Sequence, residues 1–170
     1  MIIRIYRMCS GVRGLSDHHF DRVHKLFESE GNPNGFIDLI DYDGIKIYDK
    51  IQQHLRRQIV IDTIDELAEK GYNNILLSGL SAGGFLSFYL TAHFPDKIDG
   101  SIIFNPAAYG GKLGKNSAPR QVLRDYWEKE MSKFTEINSL LFIHDEDGWE
   151  DSTTLSFLTK MNKVQTIDYT

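Results

Sequence analysis

At 170 residues the chain has the length of one domain, enough to bury roughly 70% of the surface its unfolded form would expose. Its 41% hydrophobic and 25% charged residues are ordinary for a water-exposed globular fold, and a formal net charge of −5 speaks against nucleic acid or an anionic membrane as partner. One cysteine, Cys9, cannot form an internal disulfide, and no apolar run approaches the about 20 residues of a membrane span. The apolar run in Met1–Tyr6 is too short for a signal peptide, so the expectation is a cytoplasmic protein with a single domain over residues 1–170.

Short apolar runs alternate with helical patterns from end to end. Ile2–Tyr6 reads as a strand, followed by a glycine-bearing loop from Cys9 to Leu15. A helix is expected from about Asp17 to Glu30, with Phe20, Val23 and Phe27 on one face and Gly31 as its stop. Phe36–Asp41 is a second strand, closed by the turn dipeptide Asp43-Gly44. The longest helix runs from about Tyr48 to Lys70, with Ile51, Leu55, Ile59, Ile64 and Leu67 at near-helical spacing and Gly71 at its C-terminal stop.

Asn74–Ser78 is a strand whose unbroken apolar run fits burial on both faces of a parallel sheet. The helix from Gly83 to Phe94 is apolar on nearly every side and ends before Pro95, which marks it as the central, buried one. Ser101–Phe104 is a strand ending in Asn105-Pro106. The excursion from Ala107 to Ile137 turns helical from about Pro119 to Lys133, with Ser117 as its cap, and is too short for a full cap domain. Ser139–His144 is a strand, a helix follows from about Ser152 to Met161, and Val164–Tyr169 is the last strand. Strand–helix alternation with right-handed crossovers gives an α/β fold: an open, mostly parallel, doubly wound sheet of about six strands with helices on both faces.

Ligands of such sheets bind beyond the carboxyl ends of the strands. Gly79-Leu80-Ser81-Ala82-Gly83-Gly84 stands at such an end, between a strand and the buried helix. A G-x-S-x-G turn there must be so tight that a Cβ at Gly79 or Gly83 would press on its neighbours. It holds the serine in an unfavourable backbone conformation, lifts its hydroxyl above the sheet and aims a helix N-terminus at a bound oxyanion. Ser81 is therefore the candidate nucleophile. The turn lacks the G-x-G-x-x-G of a dinucleotide site, and no lysine follows as in a P-loop.

Acyl transfer also needs two N–H donors on the developing oxyanion. Ala82 N–H, directly after the nucleophile, supplies one. The other is expected from the loop after the first strand, at Ser10-Gly11-Val12, with Val12 N–H the candidate. In this kind of site the sequence order is Ser, acid, His. The acid then falls in Asp145-Glu146-Asp147-Gly148-Trp149-Glu150-Asp151, where Asp147 is the choice and Glu150 and Asp151 are rivals. All six histidines (His18, His19, His24, His54, His93 and His144) precede that turn, and none suits the general base. Acidic residues without matching His or Cys ligands argue against a metal, and nothing calls for a cofactor. Cys9 lacks the arginine spacing of a cysteine phosphatase and reads as a small residue at a strand end.

The chain resembles the α/β-hydrolase superfamily and, more narrowly, its short, capless bacterial esterase-like proteins. The resemblance rests on the elbow Gly79–Gly84, the strand end Ile102-Ile103-Phe104-Asn105-Pro106, and the acid turn from Asp147 to Ser152. It implies an acid at the place of Asp147. It departs at the oxyanion loop, where the family has His-Gly and this protein has Ser10-Gly11, and it places the family histidine a few residues past Thr170. The reading is a serine hydrolase of esterase or thioesterase type acting on a small-molecule ester. The alternatives are a non-catalytic binding protein on the same fold and a C-terminally short fragment of a longer hydrolase; neither substrate nor oligomeric state is legible.

Overall fold

A computed structural model describes residues 2–6, 36–40, 50–107, 118–144 and 150–168. The elements are β1 (Ile2–Tyr6), β2 (Phe36–Ile40), α1 (Lys50–Glu69), β3 (Leu76–Leu80), α2 (Ala82–His93), β4 (Gly100–Phe104), α3 (Ala118–Met131), β5 (Glu136–Ile143), α4 (Ser156–Thr159) and β6 (Asn162–Asp168). The six strands form one sheet in the order β2-β1-β3-β4-β5-β6, and every neighbouring pair is parallel. The polypeptide steps from β1 to β2 in one direction and then crosses back over β1 to build β3 through β6 in the other. That reversal puts the topological switch point between β1 and β3, whose carboxyl ends are where open α/β sheets bind ligands.

The described helices pack on one sheet face. Val60, Ile61, Ile64 and Leu67 of α1 meet Leu86 and Leu90 of α2 over Leu77 of β3. On the other flank of α2, Phe85, Phe88 and Ala92 meet Trp127 and Met131 of α3, Leu158 of α4, and Ile103, Ile137, Leu141 and Ile143 of the sheet. The helix α2 is therefore the central one, buried from Gly83 to Ala92 apart from half-exposed Tyr89. Each such large apolar side chain, fully buried, contributes about 1.5–3 kcal/mol. The helix expected at about Asp17–Glu30 lies outside the described residues, as do Cys9 and Ser117.

Local signals explain several boundaries. Gly71, at φ 89°, ends α1: its N–H donates to Ala68 C=O at 2.9 Å and Tyr72 N–H donates to Leu67 C=O at 3.1 Å. This paired closure needs a left-handed residue after the helix, which glycine supplies without strain. The strand β3 runs two residues further than the apolar pattern of 74–78 suggests, because Gly79 and Leu80 stay in register with Ile103 and Phe104 of β4. The expected helix over 152–161 shrinks to Ser156–Thr159, with a turn before it. Asp151 holds that turn: Thr154 N–H donates to its Oδ1 and its own N–H donates to Thr154 Oγ1, both at 2.8 Å.

Candidate active site

Ser81 occupies the one residue between the end of β3 and the start of α2. Its backbone sits at φ 55°, ψ −123°. For a residue with a Cβ such a conformation costs on the order of 1–3 kcal/mol, and it persists only where the surroundings impose it. Here they do. Ser81 N–H donates to Phe104 C=O at 3.0 Å, while Ser81 C=O accepts from Phe85 N–H at 3.0 Å and from Ala107 N–H at 2.9 Å. Serine at a helix N-cap ordinarily turns its hydroxyl onto the first N–H groups. Ser81 makes no such capping bond, and the residue is exposed.

The glycines explain why the turn can be this tight. A Cβ on Gly79 would lie 2.4 Å from the carbonyl carbon and oxygen of Gly83 and 2.6 Å from Gly84 N. All three are backbone atoms, so no side-chain rotation relieves the clash. Gly84 matters as well: its Cβ would meet Gly79 O at 3.0 Å and Ile103 Cγ2 at 3.1 Å. Gly79→Ala is expected to cost about 3 kcal/mol or more, a fall in melting temperature of roughly 6–12 °C for a domain of this size. Gly84→Ala should cost less, about 1–2 kcal/mol, since Ile103 can shift and the backbone oxygens of Gly79 and Phe104, at 3.0 and 3.2 Å, need give only by a few tenths of an ångström. Equal melting curves for Gly79→Ala and the parent would contradict the close approach.

The first intrahelical bond of α2 is that from Phe85 N–H to Ser81 C=O. The N–H groups of Ala82, Gly83 and Gly84 therefore have no acceptor within the helix. They make the N-terminus of a buried helix, and its dipole, available to an anion beside Ser81. Val12 and Asp147 lie outside the described residues. Of the rivals to Asp147, Asp151 is engaged as the cap of the turn described above. Glu150 is 1% exposed, the one charged side group fully buried among the described residues. Buried carboxylates are costly and concentrate at functional sites, a signal that the run of acidic residues conceals in the sequence.

The histidines divide by edge. His144 follows β5 at the same carboxyl edge as Ser81, two strand spacings or about 10 Å away along the sheet. His93 ends α2 at the opposite edge, about 18 Å down the helix from Ser81. It belongs to a packing cluster: its ring lies 3.9 Å from that of Tyr89 and 4.7 Å from that of Phe134, with Glu130 Oε1 3.8 Å from Nε2. Burial lowers the His93 pKa below the usual histidine value, outweighing the opposing pull of Glu130.

A lowered folded pKa means that the fold favours the neutral ring. That contribution is complete above the unfolded value of about 6.5 and is lost as pH falls toward the folded one. Urea unfolding should show stability declining from pH 7 to pH 5, with a shallower decline in His93→Phe; identical slopes would contradict the assignment. Trp127 is likewise a packing residue, 6% exposed and edge-on to Phe85 at 4.9 Å, whereas Tyr126 is 55% exposed. A cavity of about 640 Å³ lined by Pro95, Asp99, Glu136 and Lys163 lies at the amino ends of β4, β5 and β6, away from Ser81. Among the described residues no group of His, Cys, Asp or Glu is placed to hold a metal ion, and no helix is long and apolar enough to cross a membrane.

Six parallel strands in this order, with a strained serine between β3 and a buried helix at the switch point, define the α/β-hydrolase fold. Solved structures agree. The protein is similar to a point variant of SOBER1 from Arabidopsis thaliana, with a TM-score of 0.62 and 16% identity, over 99% of this chain and 88% of that one. It is similar to a CIB-like hydrolase from Thermoplasma acidophilum, with a TM-score of 0.58 and 16% identity over 99% of this chain and 74% of that one. It is also similar to a hyperthermophilic esterase from the archaeon Pyrobaculum calidifontis, with a TM-score of 0.61 and 13% identity over 99% and 66% of the two sequences. No protein-family model and no curated protein matches the sequence. At these identities the similarity establishes the fold.

Proposed function

We propose that the protein is a cytoplasmic serine hydrolase of esterase or thioesterase type, acting on small acyl esters through Ser81. The observation that carries this reading is the exposed, strained, non-capping serine at the N-terminus of α2. Three hydrogen bonds hold a conformation that costs energy and leaves the hydroxyl outside its usual capping role. The fold shared with a solved esterase and a solved hydrolase supports the same reading.

In this mechanism Ser81 Oγ attacks the acyl carbon and passes its proton to a histidine. The Ser-acid-His order assigns that histidine to a position past β6 that these 170 residues do not include, or to one of the six that they do. Negative charge gathers on the former carbonyl oxygen, where the N–H groups of Ala82 and Val12 stabilise it. Each such donor is worth about 2.7–4 kcal/mol of barrier. The tetrahedral intermediate collapses as the protonated histidine gives its proton to the leaving alcohol or thiol. Water, deprotonated by the same histidine, then attacks the acyl-serine, and the acid and free serine are released. Asp147 accepts the histidine's other N–H and stabilises the imidazolium.

The excursion over residues 107–137 is too short for a full cap domain, which favours small or flexible acyl groups. Nitrophenyl acetate, butyrate and octanoate, together with an acetyl thioester, test this in one assay of the purified protein. Ser81-dependent turnover that falls with acyl length is expected. Turnover indistinguishable from that of Ser81→Ala on every substrate would overturn the reading in favour of a non-catalytic binding protein.

A further inference from the structure

We infer that Asn105 is a positioning residue that ties the backbone of the nucleophile to the carboxyl end of β5, from which the acid turn departs in sequence. The inference rests on the reading of Ser81 and the 145–151 turn given above. It starts from the register of β4 and β5, in which Phe104 pairs with Phe142. One step further, an unbroken parallel ladder has Asn105 N–H donating to Phe142 C=O and His144 N–H donating to the backbone carbonyl of Asn105. The first of these bonds is present, at 2.9 Å. In place of the second, His144 N–H donates to Oδ1 of the Asn105 amide group, at 3.0 Å.

That amide thus stands in for the residue's own carbonyl. The substitution lets the ladder hold His144 while the backbone leaves the sheet. Asn105 turns at φ 39°, a left-handed conformation that asparagine tolerates better than most residues. Two residues later, Ala107 N–H reaches Ser81 C=O at 2.9 Å, and Phe104 C=O already holds Ser81 N–H. Phe104 to Ala107 therefore grips both backbone polar groups of the nucleophile on one side, and the root of the acid turn on the other. The stacked rings of Phe104 and Phe142, 4.8 Å apart, stiffen the same junction. The acid turn begins in sequence directly after His144, and a misplacement of about 1 Å between reacting groups can cost on the order of 100-fold in rate.

Two variants separate the hydrogen bond from the backbone strain. Asn105→Gly accepts the positive φ but has no Oδ1, whereas Asn105→Asp keeps an acceptor oxygen and tolerates the turn. In Asn105→Gly, kcat should fall at least about tenfold with KM within about twofold, and the His144 amide should exchange its hydrogen faster. In Asn105→Asp, both kcat and exchange protection should return to within about threefold of the parent. A folded Asn105→Gly with parental kcat would overturn the inference, as would equal losses in both variants with His144 still protected in Asn105→Asp. If turnover of the parent proves independent of Ser81, the functional reading itself fails; Asn105 is then a structural clamp, visible in the exchange data alone, and the positioning role falls with it.

Discussion

With the triad histidine supplied, Ser81→Ala is expected to remove about 10⁶-fold of ester turnover while leaving the protein folded. The magnitude follows from the role: without Oγ no acyl-enzyme forms, and only the oxyanion donors and binding remain, worth about 10³–10⁴ over water. The fold should survive because Ser81 makes no capping hydrogen bond, and its backbone bonds to Phe104, Phe85 and Ala107 do not involve the hydroxyl. A companion variant sharpens the test. Ser81→Gly relieves a φ of 55° and should raise stability by about 1 kcal/mol, or roughly 2–4 °C in melting temperature, while abolishing turnover. Stability gained at the cost of activity is the signature of strain kept for function. Calorimetry beside an ester assay checks both, and a Ser81→Gly protein that melts lower than the parent would contradict the strain argument.

Asp147→Asn is expected to cost about 10⁴-fold in kcat. The amide no longer accepts a proton-bearing nitrogen as a carboxylate does, so the histidine loses its orienting partner and the imidazolium its countercharge. The effect should be confined to pH values where the parent carboxylate is ionised. Asp151→Asn should change kcat little, because asparagine can also cap the turn to Thr154, whereas Asp151→Ala should cost about 1 kcal/mol of stability. Glu150→Gln is the informative control. Glu150 is buried where Asp151 is engaged as a cap, so a 10⁴-fold loss in Glu150→Gln with a near-parental Asp147→Asn would transfer the role of acid to Glu150.

The parts of this molecule legible in the sequence are those fixed by local sterics. Gly71 announces the end of α1 because few other residues accept its conformation. The run from Gly79 to Gly84 announces the elbow because a Cβ on Gly79 would meet the backbone of Gly83 and Gly84 where β3 meets α2. The nearly all-apolar stretch from Gly83 to Phe94 reads as a buried helix, and Phe85, Phe88 and Leu90 fill the core as that pattern requires.

What the sequence conceals depends on partners distant along the polypeptide. The strand order is set by packing, so alternation alone leaves the switch point between β1 and β3 unspecified. Glu136 and Asn138 look like loop residues, yet they alternate with buried Ile137 and Ser139, and β5 begins three residues earlier than its apolar run. Asn105-Pro106 reads as a plain stop signal; the use of its amide appears only when His144, 39 residues away, is seen to donate to it. Glu150 is hidden among acidic neighbours that resemble a solvated loop, and only burial singles it out. Val12 and Asp147 remain assignments by sequence order and resemblance, because their segments lie outside the described residues.

The nucleophilic serine is tested most directly by covalent capture. The purified protein, treated with a fluorophosphonate and digested, should yield one adduct by mass spectrometry, on Ser81 in the peptide spanning Gly71 to Lys97. With the triad histidine supplied, labelling should be rapid, near one equivalent, and absent in Ser81→Ala. A folded protein that takes up no label, or takes it up on another residue with Ser81 unmodified, would contradict the account.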